Sequence, residues 1–169
     1  MVEPEAFREL FGSFPTAVSV VTTLDAEGRP RGFTCSALTS VSADPPLLLV
    51  CVDRRSQTLP AMAATGAFAV HVLAEGGERT AQRFAGRSGD RFAGLDWEPS
   101  ALAGGVPLLE GPVLGRAECR TVRTVEAGDH RIVIGRVEGA RVFPRRPLLH
   151  RRGAYGVWHG AGELLGAAG

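Results

Sequence analysis

The chain has 169 residues, 44% of them hydrophobic, with 19 basic against 18 acidic side chains and a formal net charge of +1. That length suits one globular domain over 1–169, with a core that needs neither disulfides nor metal to hold it. The balanced charge excludes the electrostatic footprint of a nucleic-acid binder; every basic residue is arginine, which excludes Schiff-base lysines, lysine-held pyridoxal phosphate and the P-loop lysine.

The first expected element is a short helix: Pro4 suits an opening turn, Phe7, Leu10 and Phe11 fall on one face, and Gly12 ends it. TAVSVVTTL (16–24) is rich in β-branched residues and runs into DAEGRP, a hairpin turn signal. RGFTCSALTSVSAD (31–44) follows as a strand whose Phe33, Cys35, Ala37 and Val41 make a core face. Asp44-Pro45-Pro46 breaks it, and LLLVCVD (47–53) reads as a strand buried on both faces. A helix over 57–65, a strand over 67–74 and a helix over 78–85 come next. Residues 86–111 are rich in Gly and Pro and read as mostly loop, GRSGD (86–90) among them. Two long strands, 113–122 and 131–143, are joined by EAGDH as their turn. Close sequential spacing of strands favours antiparallel pairing in a mainly β barrel or sandwich.

Cys35, Cys51 and Cys119 lie far apart within apolar stretches, which favours buried reduced thiols over a disulfide framework or a zinc site, and a cytoplasmic setting. The acidic opening MVEPEAFREL and the shortness of the longest apolar run, 47–52, speak against a signal sequence or a membrane span. The doublets Arg54-Arg55, Arg145-Arg146 and Arg151-Arg152 read as solvated charges.

The second face of 34–42 carries Thr34, Ser36, Ser40 and Ser42 and no charge. In 113–122, by contrast, Arg116, Glu118 and Arg120 look like a face open to water. Small hydroxyls leave room for a flat ligand and offer it donors; they also pack under a helix or a partner chain, and the residues alone do not separate the two. DRRSQT (53–58) ends a strand and begins a helix, where N–H groups, Ser56 and Thr58 suit a phosphate, or Ser56 is a plain N-cap. His130, in the EAGDH turn, is by itself most simply incidental. No GxSxG, HExxH or CxxC is present, and GAGELLG (160–166) lacks the spacing and context of a dinucleotide fingerprint.

Five segments, FPTAVSVVTTLDAEGRPRGFTCSALTSVSADPPLLLVCVD, RRSQT, FAVHVLAEGGERTAQRFAG, GDHRIVIGRVEGARV and RRGAYG, resemble in order and spacing the flavin reductase-like family with the FMN-binding split-barrel fold. The resemblance covers about Phe7 to His159 and leaves 160–169 as a tail expected to be mobile. It implies a split β-barrel of antiparallel strands with a few short flanking helices, and NAD(P)H-dependent reduction of FMN or FAD for a separate oxygenase. Thr34, Cys35, Ser36 and Ala37 would lie along the ring and ribityl chain, with Ser40 farther up; Cys51, Val52 and Asp53 would meet the ring through backbone groups. Ser56, Gln57 and Thr58 would hold the phosphate, with Arg91 helping to neutralise it. His130 would help place the nicotinamide nucleotide, with Gly153 and Tyr155 beside the same pocket. His150-Arg151 stand where the family often has an aromatic residue and then histidine, a departure in that region. The implied reaction asks for no catalytic side chain, only stacked rings with water excluded. A homodimer is implied too, and a barrel with edges to cover favours one. The rival readings are a flavin-binding barrel without turnover, acting as electron carrier or sensor, and a non-catalytic dimerisation barrel.

Overall fold

The computed structural model describes residues 1–86 and 89–160. The expected mobile tail lies almost wholly outside them, as does the middle of GRSGD. Proline at its first positions sets the start of helix α1 (Pro4–Gly12), which buries none of its residues. Phe7 stacks at 4.5 Å on Phe11, and Phe11 meets the Phe14 ring at 5.9 Å, all three half-exposed.

The strand expected over 16–24 breaks at Val18 into β1 (Thr16–Ala17) and β2 (Ser19–Leu24). The larger correction concerns 31–44, which is two strands: β3 (Pro30–Cys35) and β4 (Leu38–Ala43), separated by Ser36-Ala37. With β5 (Pro46–Asp53), β6 (Ala67–Leu73), β9 (Val113–Ala127) and β10 (His130–Val142) they form one antiparallel sheet of order β3-β2-β6-β9-β10-β5-β4. β3 and β4 are therefore its opposite edges, and Ser36-Ala37 carries the chain from one to the other. The sheet curls until those edges approach: the Cys51 N–H donates to the Ala37 carbonyl at 3.0 Å, and Cys35 Sγ to the Cys51 carbonyl at 3.8 Å. The strands thus enclose a split barrel. Because β3 and β4 do not share a face, Ala37 and Val41 are exposed rather than in the core.

Inside the barrel, Val21, Val50, Val52, Phe68, Cys119 and Val133 pack together. β5 alternates buried Leu48, Val50 and Val52 with half-buried Leu47, Leu49 and Cys51, so it is not sealed on both sides as expected. Gly135 on β10 is there for close packing: a Cβ would stand 2.5 Å from Phe68 Cζ and 3.0 Å from Cys119 Cβ. Helix α2 (Thr58–Thr65) sends Met62 into this core. Helix α3 (Glu78–Ala85) lies over β3 with Phe84 in a second cluster that includes Val20, Leu73, Phe92 and Leu148. β11 (Leu148–Arg151) and β12 (Ala154–Val157) form a hairpin on β1.

Residues 86–111 are mostly loop as expected, with one short pairing of β7 (Trp97–Pro99) with β8 (Pro107–Leu109). This segment covers two of the three side chains of 113–122 that read as open to water, Arg116 and Glu118, while Arg120 is exposed. The Arg116 side chain, 9% exposed, pairs with Glu98 at 2.7 Å and Glu110 at 3.5 Å, and Glu118 accepts from Ser100 Oγ at 2.5 Å. Fully buried His71 fixes the segment from beneath. The Leu109 N–H donates to Nε2 at 3.0 Å, which leaves the proton on Nδ1 to donate to the Val20 carbonyl at 3.2 Å. The β9–β10 turn is tighter than EAGDH, needing only Gly128 and Asp129.

Candidate functional site

β3, the end of β5, the start of α2 and the α3–β7 connection surround a cavity of about 650 Å³. Of the residues singled out from sequence, Thr34, Asp53, Ser56, Gln57, Thr58 and Arg91 line it together. Their closeness follows from topology: where the curled sheet closes, Cys51 of β5 meets Cys35 at the end of β3, and the chain leaving β5 carries 53–58 to the cavity.

Each anchor has a definite setting. Ser56 Oγ accepts the Thr58 N–H at 3.3 Å, and Thr58 is itself 2% exposed. Asp53 accepts the Arg55 N–H at 2.8 Å and Arg55 Nη2 at 2.7 Å, and these bonds hold its carboxyl far below the usual range. Arg91 donates from Nη1 to the Gly32 carbonyl at 2.5 Å and from Nη2 to the Gly86 carbonyl. No carboxylate among the described residues pairs with Arg91; burial, and then the charge of nearby Arg31, lower its pKa. Gly32 lets α3 come close, because a Cβ there would stand 2.8 Å from Phe84 Cε1.

The remaining sequence candidates are distributed differently. Thr34 Oγ1 already donates to the Ala81 carbonyl at 2.5 Å, which takes part of the supposed hydroxyl face into contact with α3. Cys35 is buried and Val52 fully so. Burial pushes the Cys35 thiol up to about 11, so it is a neutral donor to Cys51 and no nucleophile at neutral pH. Ser36 and Ala37 are exposed at the crossover, and Ser40 stands on the far edge strand, outside the cavity lining. His130 is the ladder partner of Asp53, and Asp129 holds its Nδ1 at 2.7 Å. It therefore sits at the Ser56 end of the sheet, just outside the cavity lining. Tyr155 faces a separate concavity of about 430 Å³ with Pro15, Leu149 and Arg151, its ring 5.4 Å from that of His150. Gly153, in the turn before it, has φ +79°. The structure does not bring these two residues to the cavity at Ser56.

Sequence reasoning missed Arg29, Arg31 and Arg55 in the lining, and with them Phe33, Phe84 and Phe92. The one available signal was Asp25 in the DAEGRP turn, whose carboxylate accepts from both Arg29 Nε (3.0 Å) and Arg31 Nη2 (2.9 Å).

Residues 11–159 match the family described as Flavin reductase like domain. The flavin reductase (NADH) of Kitasatospora aureofaciens is 48% identical over 160 residues, covering 94% of this chain and 83% of the relative. The reductase subunit HsaB of a flavin-dependent monooxygenase from Rhodococcus jostii (strain RHA1) is 39% identical, covering 91% of this chain and 77% of its own. Among solved structures, the Streptomyces globisporus C-1027 NADH:FAD oxidoreductase SgcE6, in complex with NAD and FAD fragments, superposes with a TM-score of 0.86. It is 37% identical and covers 95% of this chain and 98% of its own.

Proposed function

This chain belongs to the flavin reductase like domain family, and from that membership we propose that it is an NAD(P)H-dependent flavin reductase that supplies reduced flavin to a separate monooxygenase component. The observation that carries the reading is the cavity in which Ser56, Thr58 and Arg91, an arginine that pairs with no carboxylate among the described residues, meet beside β3. Its volume of about 650 Å³ is that of a small-molecule site, and its lining joins hydroxyl and arginine anchors to the Phe33, Phe84 and Phe92 side chains.

Bound flavin supplies the hydride acceptor and a nicotinamide supplies the hydride. The protein's residues bind, orient and exclude water. Ser56, Gln57 and the first turn of α2 offer hydroxyl, amide and N–H donors to the phosphate, and Arg91 adds charge. Thr34, Cys35, Ser36 and Ala37, with the backbone of Cys51 to Asp53, border the ring end, where neutral thiol and peptide groups replace water without adding charge. His130, oriented by Asp129, steers the nicotinamide nucleotide at the Asp53 end. The chain works as a homodimer. The half-exposed Phe7, Phe11 and Phe14 and the uncharged edge strand β4 are surfaces that a second copy would cover. Among the described residues no helix is long and apolar enough to cross a membrane.

The experiment is a titration of purified protein with FMN, FAD and riboflavin by fluorescence, followed by NADH and NADPH oxidation with each. Flavin binding with turnover supports the reading, whereas binding without turnover would make the chain a flavin carrier.

A further inference from the structure

Resting on the flavin reductase reading, we infer that Arg55 is a specificity-determining residue of the cleft. It serves as the counter-charge to Asp53, and by masking that carboxylate it lets a phosphate-bearing flavin settle at Ser56 in preference to riboflavin, which carries no phosphate. Asp53 and Asp90 are the acidic residues of the cavity wall, and Asp53 is the one joined to the hydroxyl anchors. The Ser56 N–H donates to the Asp53 carbonyl at 2.9 Å, closing a turn that keeps the two Cα atoms within about 7 Å. A bare carboxylate at that range would repel a phosphate held at Ser56.

Arg55 occupies both carboxylate oxygens. Oδ1 accepts the Arg55 N–H at 2.8 Å and Nε at 3.1 Å, and Oδ2 accepts Nη2 at 2.7 Å. Nη1 has no partner among the described residues and keeps its donors for a ligand in the cavity that Arg55 lines. These bonds hold the Asp53 carboxyl far below its usual range, so its charge is matched by a cation and not removed by protonation. The neighbouring carboxylates are matched too. Asp129 takes Nδ1 of His130, the ladder partner of Asp53, at 2.7 Å, and Asp90 accepts the Phe92 N–H at 2.9 Å. The Arg55 side chain is 80% exposed, and an ion pair so open to water adds little to the fold. Its effect falls on the anion that binds beside it.

The test is the affinity for FMN and riboflavin by fluorescence quenching, measured on the wild type, Arg55→Gln, Asp53→Asn and the double variant, with each fold checked by thermal melting. Arg55→Gln should lose about fivefold for FMN at low salt, shrinking to about twofold near 0.5 M salt, while riboflavin stays within about twofold. Asp53→Asn keeps an acceptor for the Arg55 N–H and frees a cation, so it should bind FMN about threefold more tightly with riboflavin unchanged. Adding Asp53→Asn to Arg55→Gln should bring FMN affinity back to within about twofold of the wild type, a rescue that a merely structural arginine does not give. Equal losses of FMN and riboflavin in Arg55→Gln, no loss of either, or a double variant as weak as Arg55→Gln would overturn the counter-charge and leave the reductase reading standing. Failure of the wild type to bind either flavin would overturn both. Should Arg55→Gln melt early, Asp53→Asn decides alone: tighter binding of FMN with riboflavin unchanged supports the masking, and anything else overturns it.

Discussion

Acidification should loosen this protein well above the pH at which its carboxylates protonate, through His71. The imidazole is completely buried, and its two nitrogens are already matched to a donor and an acceptor in the neutral form. A second proton would point at the Leu109 N–H. Burial pushes the His71 pKa down from its ordinary 6.5 to about 4, with the charge of Arg116 acting in the same direction and the bond to Val20 opposing it. The unfolded chain therefore binds this proton more readily than the folded one. The stability held at neutral pH begins to fall below 6.5 and is lost by the time pH reaches about 4. At about 1.36 kcal/mol per pKa unit the whole loss is on the order of 3 kcal/mol, most of it by pH 4.5. Asp25, held down to about 2 despite partial desolvation by backbone and arginine hydrogen bonds, and Asp53, held low by Arg55, contribute only below their unfolded pKa near 3.8. The window between 6.5 and 4.5 thus belongs to the histidine. Urea unfolding monitored by circular dichroism at half-unit steps from pH 7.5 to 4.5 measures the slope. His71→Gln keeps an acceptor for Leu109 but does not titrate, so it should be weaker at pH 7 and flatter with pH. Identical slopes in wild type and variant, or an NMR titration of His71 near 6.5, would refute the buried neutral tautomer.

Three further outcomes follow from the site and the core. Replacing Ser56 and Thr58 together by alanine should weaken flavin binding by at least about tenfold, since charge-assisted hydrogen bonds contribute about 1.5–3 kcal/mol each; unchanged affinity by fluorescence quenching would remove the phosphate from this loop. His130→Ala should raise KM for the nicotinamide nucleotide with flavin affinity preserved, and steady-state kinetics showing equal loss of both would make the histidine structural. Gly135→Ala forces a methyl to within 2.5 Å of Phe68 and should cost about 1–3 kcal/mol, read as a lowered Tm with the fold retained in circular dichroism.

What the sequence revealed divides by how local the cause is. The helices Pro4–Gly12 and Thr58–Thr65 and the Val113–Val142 hairpin were readable because caps, periodicity and turn residues lie within the segments themselves. The break at Ser36-Ala37 was not, because nothing in TCSALT marks the place where the chain must leave one sheet edge for the other. Arg116 and Glu118 looked open to water because their cover arrives from residues 97–110, a segment whose own composition reads as loop. The same asymmetry holds at the site. Ser56 to Thr58 stand where a strand hands over to a helix, a local signal, and the structure sets them on the cavity with Thr34 and Arg91. Arg29, Arg31 and Arg55 went unnoticed because an arginine beside a turn reads as a solvated charge until its carboxylate anchor is seen.

The two-residue crossover at Ser36-Ala37 acts as a spacer between the rims of the barrel. Lengthening it by a single glycine would let the Cys35 and Cys51 margins drift apart without altering any side chain that faces the cleft. Aperture would thereby become adjustable separately from chemistry. Enzymes engineered on this scaffold for bulkier acceptors have in that dipeptide a control that leaves the anchors at Ser56 and Arg91 untouched.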